Sequence, residues 1–145
     1  MRISTKGEYG VRAMLDLALR YDQGPVPLSA IAKRQDISEH YLEQLISTLR
    51  KAGLVVSFRG AQGGYQLARS PSEITIGDII RSLEGPIAPM ECVSDARQDH
   101  CLQKDLCATR MLWLKLRTSI EQVLENTTLA CLCQEAIKLE AAVDN

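Results

Sequence analysis

The chain has one Phe and one Trp in 145 residues, and aromatic side chains make up only 4% of it. Its core must therefore rest on Leu, Ile, Val and Ala, a composition that favours helices. Histidine is equally scarce, with His40 and His100 alone, and no Ser/His/Asp constellation for nucleophilic catalysis is apparent. No segment approaches the roughly 18 uninterrupted apolar residues of a membrane span. The first residues lack the charged and apolar regions of a secretory signal. The one glycine-rich stretch, GAQGG at 60–64, lies between two strand-like runs and opens no helix, so it is not a nucleotide-binding loop. These absences argue for a cytoplasmic protein with no membrane partner, no small-molecule substrate and no enzymatic activity.

What is present is 46% apolar content, enough for a folded domain, and a divided charge. Residues 1–69 hold ten Lys/Arg against six Asp/Glu, whereas residues 70–145 hold seven against twelve. A positive first half hints at an anionic partner for that half only. The length suits one domain, or a small domain with an oligomerisation extension.

Apolar residues recur at helical spacing over 5–21, through Val11, Met14, Leu15, Ala18 and Tyr21, until Gly24, Pro25 and Pro27 stop the helix. A short helix is predicted over about 28–35. After Asp36 and Ile37, Ser38 is a good N-cap for a helix burying Leu42, Leu45, Ile46 and Leu49 and ending at Gly53. Two short helices joined by so tight a turn form a helix-turn-helix pattern. LVVSFRG, AQGG and YQLA then read as a β-hairpin. The fold class expected is mainly α with a small β-hairpin wing: a winged helix-turn-helix domain plus a long C-terminal dimerisation helix.

The outward face of the second helix carries side chains able to contact phosphates or base edges, among them Ser38, His40, Glu43, Gln44, Ser47 and Arg50. Arg59, beside Gly60 at the wing's base, is suited to a minor groove. These seven residues are the candidate DNA-binding set, and double-stranded operator DNA is the expected partner.

Thr75 with Asp78 predicts a capped helix over 76–84, ended by Gly85 and Pro86. A long helix of about 19 residues, spanning about 28 Å, follows from Ala108 to Asn126, then a last one over about 129–142. Apolar residues on the long helix cover more than one stripe, so one face can serve a second subunit. A two-fold homodimer also matches a palindromic site. We expect three parts: a DNA-binding domain over 1–84, a cysteine loop over 85–107, and dimerisation and C-terminal helices over 108–145.

Of five cysteines, Cys92, Cys101 and Cys107 lie in that polar loop, MECVSDARQDHCLQKDLC, with eight and then five residues between them. Structural thiols normally sit among apolar neighbours. Cysteines along a polar loop more often converge on zinc, an iron–sulfur cluster or a disulfide. Cys131 and Cys133, among Leu129, Ala130 and Leu132, read instead as structural.

MRISTKGEYGVRAMLDLAL, ISEHYLEQLISTLRKAGLV and RGAQGGYQLAR resemble the IscR family of bacterial regulators over nearly all of residues 1–130. The resemblance implies a homodimeric winged-helix transcription factor controlling iron–sulfur cluster biogenesis genes. It implies a 2Fe–2S cluster held by Cys92, Cys101 and Cys107, and DNA reading around His40, Glu43, Gln44 and Arg59, with Glu43 discriminating between operators. The chain departs from the family at Arg110, three residues after the last loop cysteine. The family's biogenesis branch has a histidine ligand there, and a guanidinium cannot coordinate. Candidates for the fourth ligand are His100 and Glu8, or else a small molecule, water or another group. Nitric-oxide-sensing and redox-sensing branches use a carboxylate at the position of Glu8. A thiol/disulfide or nitric-oxide-responsive regulator is the alternative; a redox enzyme or electron carrier is a remote one.

Overall fold

Ser4 starts the first helix, its hydroxyl accepting the Gly7 N–H, and α1 runs over Thr5–Leu19. The structure, a computed structural model, describes residues 3–94 and 106–144. α1 stops two residues earlier than its periodicity predicts: Tyr21–Gln23 tighten into a 3-10 turn ahead of the two prolines. Its buried face also differs. Met14 and Ala18 are buried as expected, but Tyr21 is exposed, and Ala13 and Leu17 join the core. The physical reason is that α1 is packed from several sides, by α2 (Leu28–Gln35), α3 (Glu39–Lys51), α4 (Ile76–Glu84) and α6 (Leu129–Val143).

Between α2 and α3, Asp36 adopts the left-handed conformation, φ 54°, and its N–H reaches the Ala32 carbonyl. A short polar side chain tolerates that conformation, which reverses the chain in one residue. Ser38 then caps α3, its hydroxyl accepting the Tyr41 N–H at 3.2 Å. Leu42, Leu45, Ile46 and Leu49 are all buried, as their spacing predicts. Each such side chain contributes about 1.5–3 kcal/mol when fully removed from water.

β1 (Val55–Phe58) and β2 (Gly64–Leu67) pair antiparallel, with Val55 opposite Leu67 and Phe58 opposite Gly64. Val26 and Tyr65 exchange two backbone hydrogen bonds of 2.9 Å, tying the α1–α2 connection to the wing. Gly64 permits this approach: its φ is +152°, and a Cβ there would overlap the Val26 carbonyl. α4 opens with a full capping box, Thr75 and Asp78 each accepting the other's backbone N–H.

α5 (Ala108–Asn126) contains no buried residue, and Met111, Leu112, Leu116 and Val123 are exposed. Its far end is nevertheless fastened to the head. Thr127 accepts the Ile76 N–H at 2.9 Å, Leu129 donates to the Ile74 carbonyl at 3.0 Å, and Glu125 pairs with Arg81. Leu129 itself lies in the core at 0% exposure. No helix among the described residues is long and apolar enough to cross a membrane.

Candidate nucleic-acid interface and metal centre

With four leucines and isoleucines turned inward, α3 presents Ser38, His40, Glu43, Gln44 and Arg50 to solvent, with Ser47 half-buried. His40 and Gln44 lie one turn apart, their side-chain nitrogens at 3.3 Å. The Ser38 hydroxyl accepts the Tyr41 N–H in the cap, so what it can offer a partner is its own O–H. Arg50 reaches the Ser57 hydroxyl on β1 at 3.5 Å, joining the end of α3 to the wing. Arg59 is exposed at the wing beside Gly60, whose φ is +103°. Helix face and wing are thus brought together, with Arg50, Lys51 and Arg59 as exposed cations. Ser57, which sequence reasoning missed, is the contact between them.

The seating of α3 depends on a polar network that periodicity did not reveal. Asp16 is buried at 2% exposure on the core side of α1. It accepts two hydrogen bonds from the Arg34 guanidinium, at 2.8 and 2.9 Å, and one from Gln35 at 3.0 Å. Hydrogen bonding to Asp16 raises Arg34 above its ordinary value, against the opposing effect of burial. Arg12 donates to the Gln35 backbone carbonyl at 2.6 Å and lies 5.1 Å from the Tyr9 ring centre. Tyr9 in turn meets Tyr41 of α3 edge-on, at 6.1 Å. α1, α2 and α3 are therefore held by one connected set of side chains. The available sequence signal was an aspartate interrupting the apolar run AMLDLAL.

At the other end of the head, Cys92 sits in a 3-10 turn, Glu91–Val93. The Val93 side chain is fully buried, and its carbonyl accepts Arg117 Nη1 of α5 at 2.5 Å, while Arg117 Nε donates to Glu121 at 2.9 Å. Cys107 is the N-cap of α5, its Sγ 3.0 Å from the Thr109 hydroxyl. Hydrogen bonding by Thr109, then by the Arg110 N–H, with a smaller contribution from the Arg110 charge, holds this thiol below its ordinary range. Cys92 and Cys107 are both half-buried free thiols. Cys101 and His100 lie outside the described residues. Glu8 is exposed in the first turn of α1. The described residues contain no group of three His, Cys, Asp or Glu able to hold a metal, so one chain does not gather Glu8 with Cys92 and Cys107.

The donor chemistry nonetheless fits a thiophilic metal group: two unpaired thiols flank one segment, and one is biased toward thiolate. Arg110, in the first turn of α5, has its Nε buried without a hydrogen-bond partner. On α6, Cys131 is exposed, and hydrogen bonding by Thr128 lowers its thiol. Cys133 packs against the core, and burial raises it.

A two-helix reader with a neighbouring antiparallel wing defines a winged-helix DNA-binding regulator. The chain belongs to the Rrf2 family, whose model, described as an iron-dependent transcriptional regulator, matches residues 3–135. It is 50% identical to the regulator CymR of Bacillus subtilis over 129 residues, covering 89% of this chain and 87% of that one. It is 46% identical to IscR of Serratia proteamaculans over 130 residues, or 90% and 77% of the two chains. The solved structure of B. subtilis CymR, titled the global cysteine regulator, matches with a TM-score of 0.80 at 47% identity, covering 93% and 98%. That of T. potens IscR matches with a TM-score of 0.78 at 51% identity, covering 94% and 88%. The relatives are transcription regulators and not enzymes, in agreement with the sequence reading.

Proposed function

We propose that this protein is a homodimeric, operator-binding transcription factor that senses iron–sulfur cluster status through a 2Fe–2S cluster and controls cluster biogenesis genes. The observation that carries the reading is the position of Cys92 and Cys107, one on each side of the segment joining the DNA-reading head to α5. Cys92, Cys101 and Cys107 would hold the cluster, which supplies a group that assembles or is lost with iron and oxidant supply. The fourth ligand is drawn from His100 or Glu8, the latter from the partner subunit, since one chain does not bring it to the thiols.

The protein's own residues transmit the state of that site. Arg117 holds the Val93 carbonyl against α5, so a shift of Cys92 moves with the long helix. At its other end α5 is bonded to residues 74–76 of the head through Thr127 and Leu129. Displacement at the cysteines thus acts on the head from both ends of one rigid helix, and a change in operator affinity follows only if the two states bind DNA differently. The exposed row Leu112, Leu116 and Val123 supports the homodimer: spaced at four and seven residues, it forms an apolar stripe that a second copy would cover. The same reading divides the chain into a DNA-binding head over 1–84, a cysteine loop over 85–107 and dimerisation and C-terminal helices over 108–145.

On α3, Gln44 and His40 face base edges and Glu43 selects among them, with Ser38, Ser47 and Arg50 at the backbone and Arg59 in the minor groove. Arg59→Ala should weaken operator binding and reduce the salt slope by about one counterion, whereas Glu43→Ala should change sequence preference with little change in slope. Anaerobic isolation is the direct test of the cluster. A brown protein whose visible absorption is abolished by Cys92→Ala is expected; a colourless protein with stoichiometric zinc would sink the cluster reading.

A second reading is favoured by the free thiols Cys92 and Cys107 on either side of one segment: a thiol/disulfide-responsive regulator of the same fold. It predicts DNA binding that responds to reductant in iron-free protein.

A further inference from the structure

α5 begins with an unusual concentration of positive charge. A helix N-terminus carries roughly half a positive charge and unpaired N–H groups, and an acidic side chain in the first turn normally offsets it. α5 has no acidic residue in its first turn and no side-chain hydrogen bond at its cap. Arg110 stands there instead, adding a full positive charge three residues from Cys107, on the same side of the helix turn. Its Nε is shielded from water and lacks an acceptor. A buried donor without a partner is destabilising, because it has lost water and gained no acceptor. Elsewhere among the described residues guanidinium nitrogens find acceptors even where they are only partly shielded: Arg34 donates twice to Asp16, and Arg117 to Glu121 and to the Val93 carbonyl.

We infer that Arg110 is a positioning residue for the anionic, sulfur-rich metal group proposed between Cys92 and Cys107, donating a hydrogen bond to it without ligating it. The inference rests on the cluster reading above. A guanidinium is never a metal ligand, because it carries donors only. It serves thiolate and sulfide sulfur differently, by offering an N–H and a fixed positive charge to a group whose negative charge grows on reduction. Arg110 thus supplies charge compensation at the site and no coordination. Hydrogen bonds and charge around cluster sulfurs are among the factors that set reduction potential.

The test uses full-length protein isolated anaerobically, as wild type, Arg110→Gln, Arg110→Lys and Arg110→Leu. In an optical redox titration, Arg110→Gln should shift the reduced-to-oxidised ratio at fixed potential about tenfold toward oxidised, equivalent to about 59 mV for one electron. Arg110→Lys should stay within about twofold of wild type in that ratio. Iron release to an external chelator should be several-fold faster for Arg110→Gln than for Arg110→Lys. In iron-free protein, Arg110→Leu should melt at the same temperature as wild type or higher, because it removes an unpaired buried donor.

A purely structural arginine gives the opposite thermal result, with the iron-free leucine variant melting several degrees lower, and that outcome overturns the inference. So does an Arg110→Gln protein with wild-type potential and iron release. Dissociation of the dimer by Arg110→Gln in sedimentation would assign the side chain to an intersubunit ion pair and overturn it equally. If wild type takes up no iron, the cluster reading falls and the inference with it; if wild type holds iron and Arg110→Gln is indistinguishable from it, the inference alone falls.

Discussion

The head, residues 3–84, and the long helix α5 contain similar proportions of Leu, Ile and Val but use them differently. In the head those side chains converge on one core, with Met14, Ile31, Leu42, Ile46, Leu49, Ile74 and Ile79 at 0% exposure. In α5 none is buried, and Met111 and Val123 are more than 60% exposed. The head thus carries the one buried core of the described residues, completed from outside by Leu129 of α6. α5 is fastened to it by a few polar contacts and by Leu124, packed against the core, and leaves exposed the apolar stripe that the proposed homodimer would cover. On the proposed function this division places the reading surface on the core and the responding helix on contacts that can be re-made.

The comparison predicts a graded series of effects. Ile46→Ala opens a cavity beneath the reading helix and should cost about 2–5 kcal/mol in denaturant unfolding; a loss under 1 kcal/mol would deny that α3 is seated by its core face. Asp16→Ala should cost about 1–3 kcal/mol, since Gln35 and Arg34 lose their acceptor. Arg34 remains partly in water and can be re-solvated, which keeps the loss below that of a fully buried ion pair. Gly64→Ala should cost about 1–3 kcal/mol through strain where the wing meets Val26, and amide exchange at Val26 and Tyr65 should speed up before that of α3. Val123→Asp is the contrasting case: stability per subunit should change by less than about 0.5 kcal/mol, while sedimentation shifts from dimer to monomer. Retention of the dimer would remove the assignment of that stripe. The smallest effect is chemical. In iron-free protein near neutral pH, Cys107 should be alkylated faster than Cys133, because the thiolate is the reactive form, hydrogen bonding lowers the first thiol and burial raises the second. Quantitative mass spectrometry of the labelled peptides reads this directly, and equal rates would contradict it.

Local chemistry explains which parts were legible without coordinates. The caps at Ser38 and Thr75 reach only three residues along the chain. The buried set of α3 obeys a period set by the helix itself, and glycine-rich AQGG between short β-branched and aromatic runs admits little but a hairpin. Those features were read correctly because cause and effect lie within one turn. α1 was misread at Tyr21 and rotated in its buried face because several helices pack around it at once. Asp16 went unnoticed because its partners, Arg34 and Gln35, are 18 and 19 residues away. The 3-10 turn at Cys92 and the Arg117 bond to Val93, across 24 residues, were invisible for the same reason.

The amino-acid sequence by itself therefore determined the class of this protein: a helix-turn-helix with a wing, a long apolar helix, and thiols on a polar loop between them. It did so because periodicity, capping and glycine placement act over a few residues. The tertiary structure decided what those pieces do to one another. It put a carboxylate inside the head to lock three helices, anchored the turn bearing Cys92 onto the helix that Cys107 begins, and left Nε of Arg110, in the first turn of that helix, shielded and without an acceptor. Each of these depends on which distant groups share a low-dielectric space, and only packing settles that.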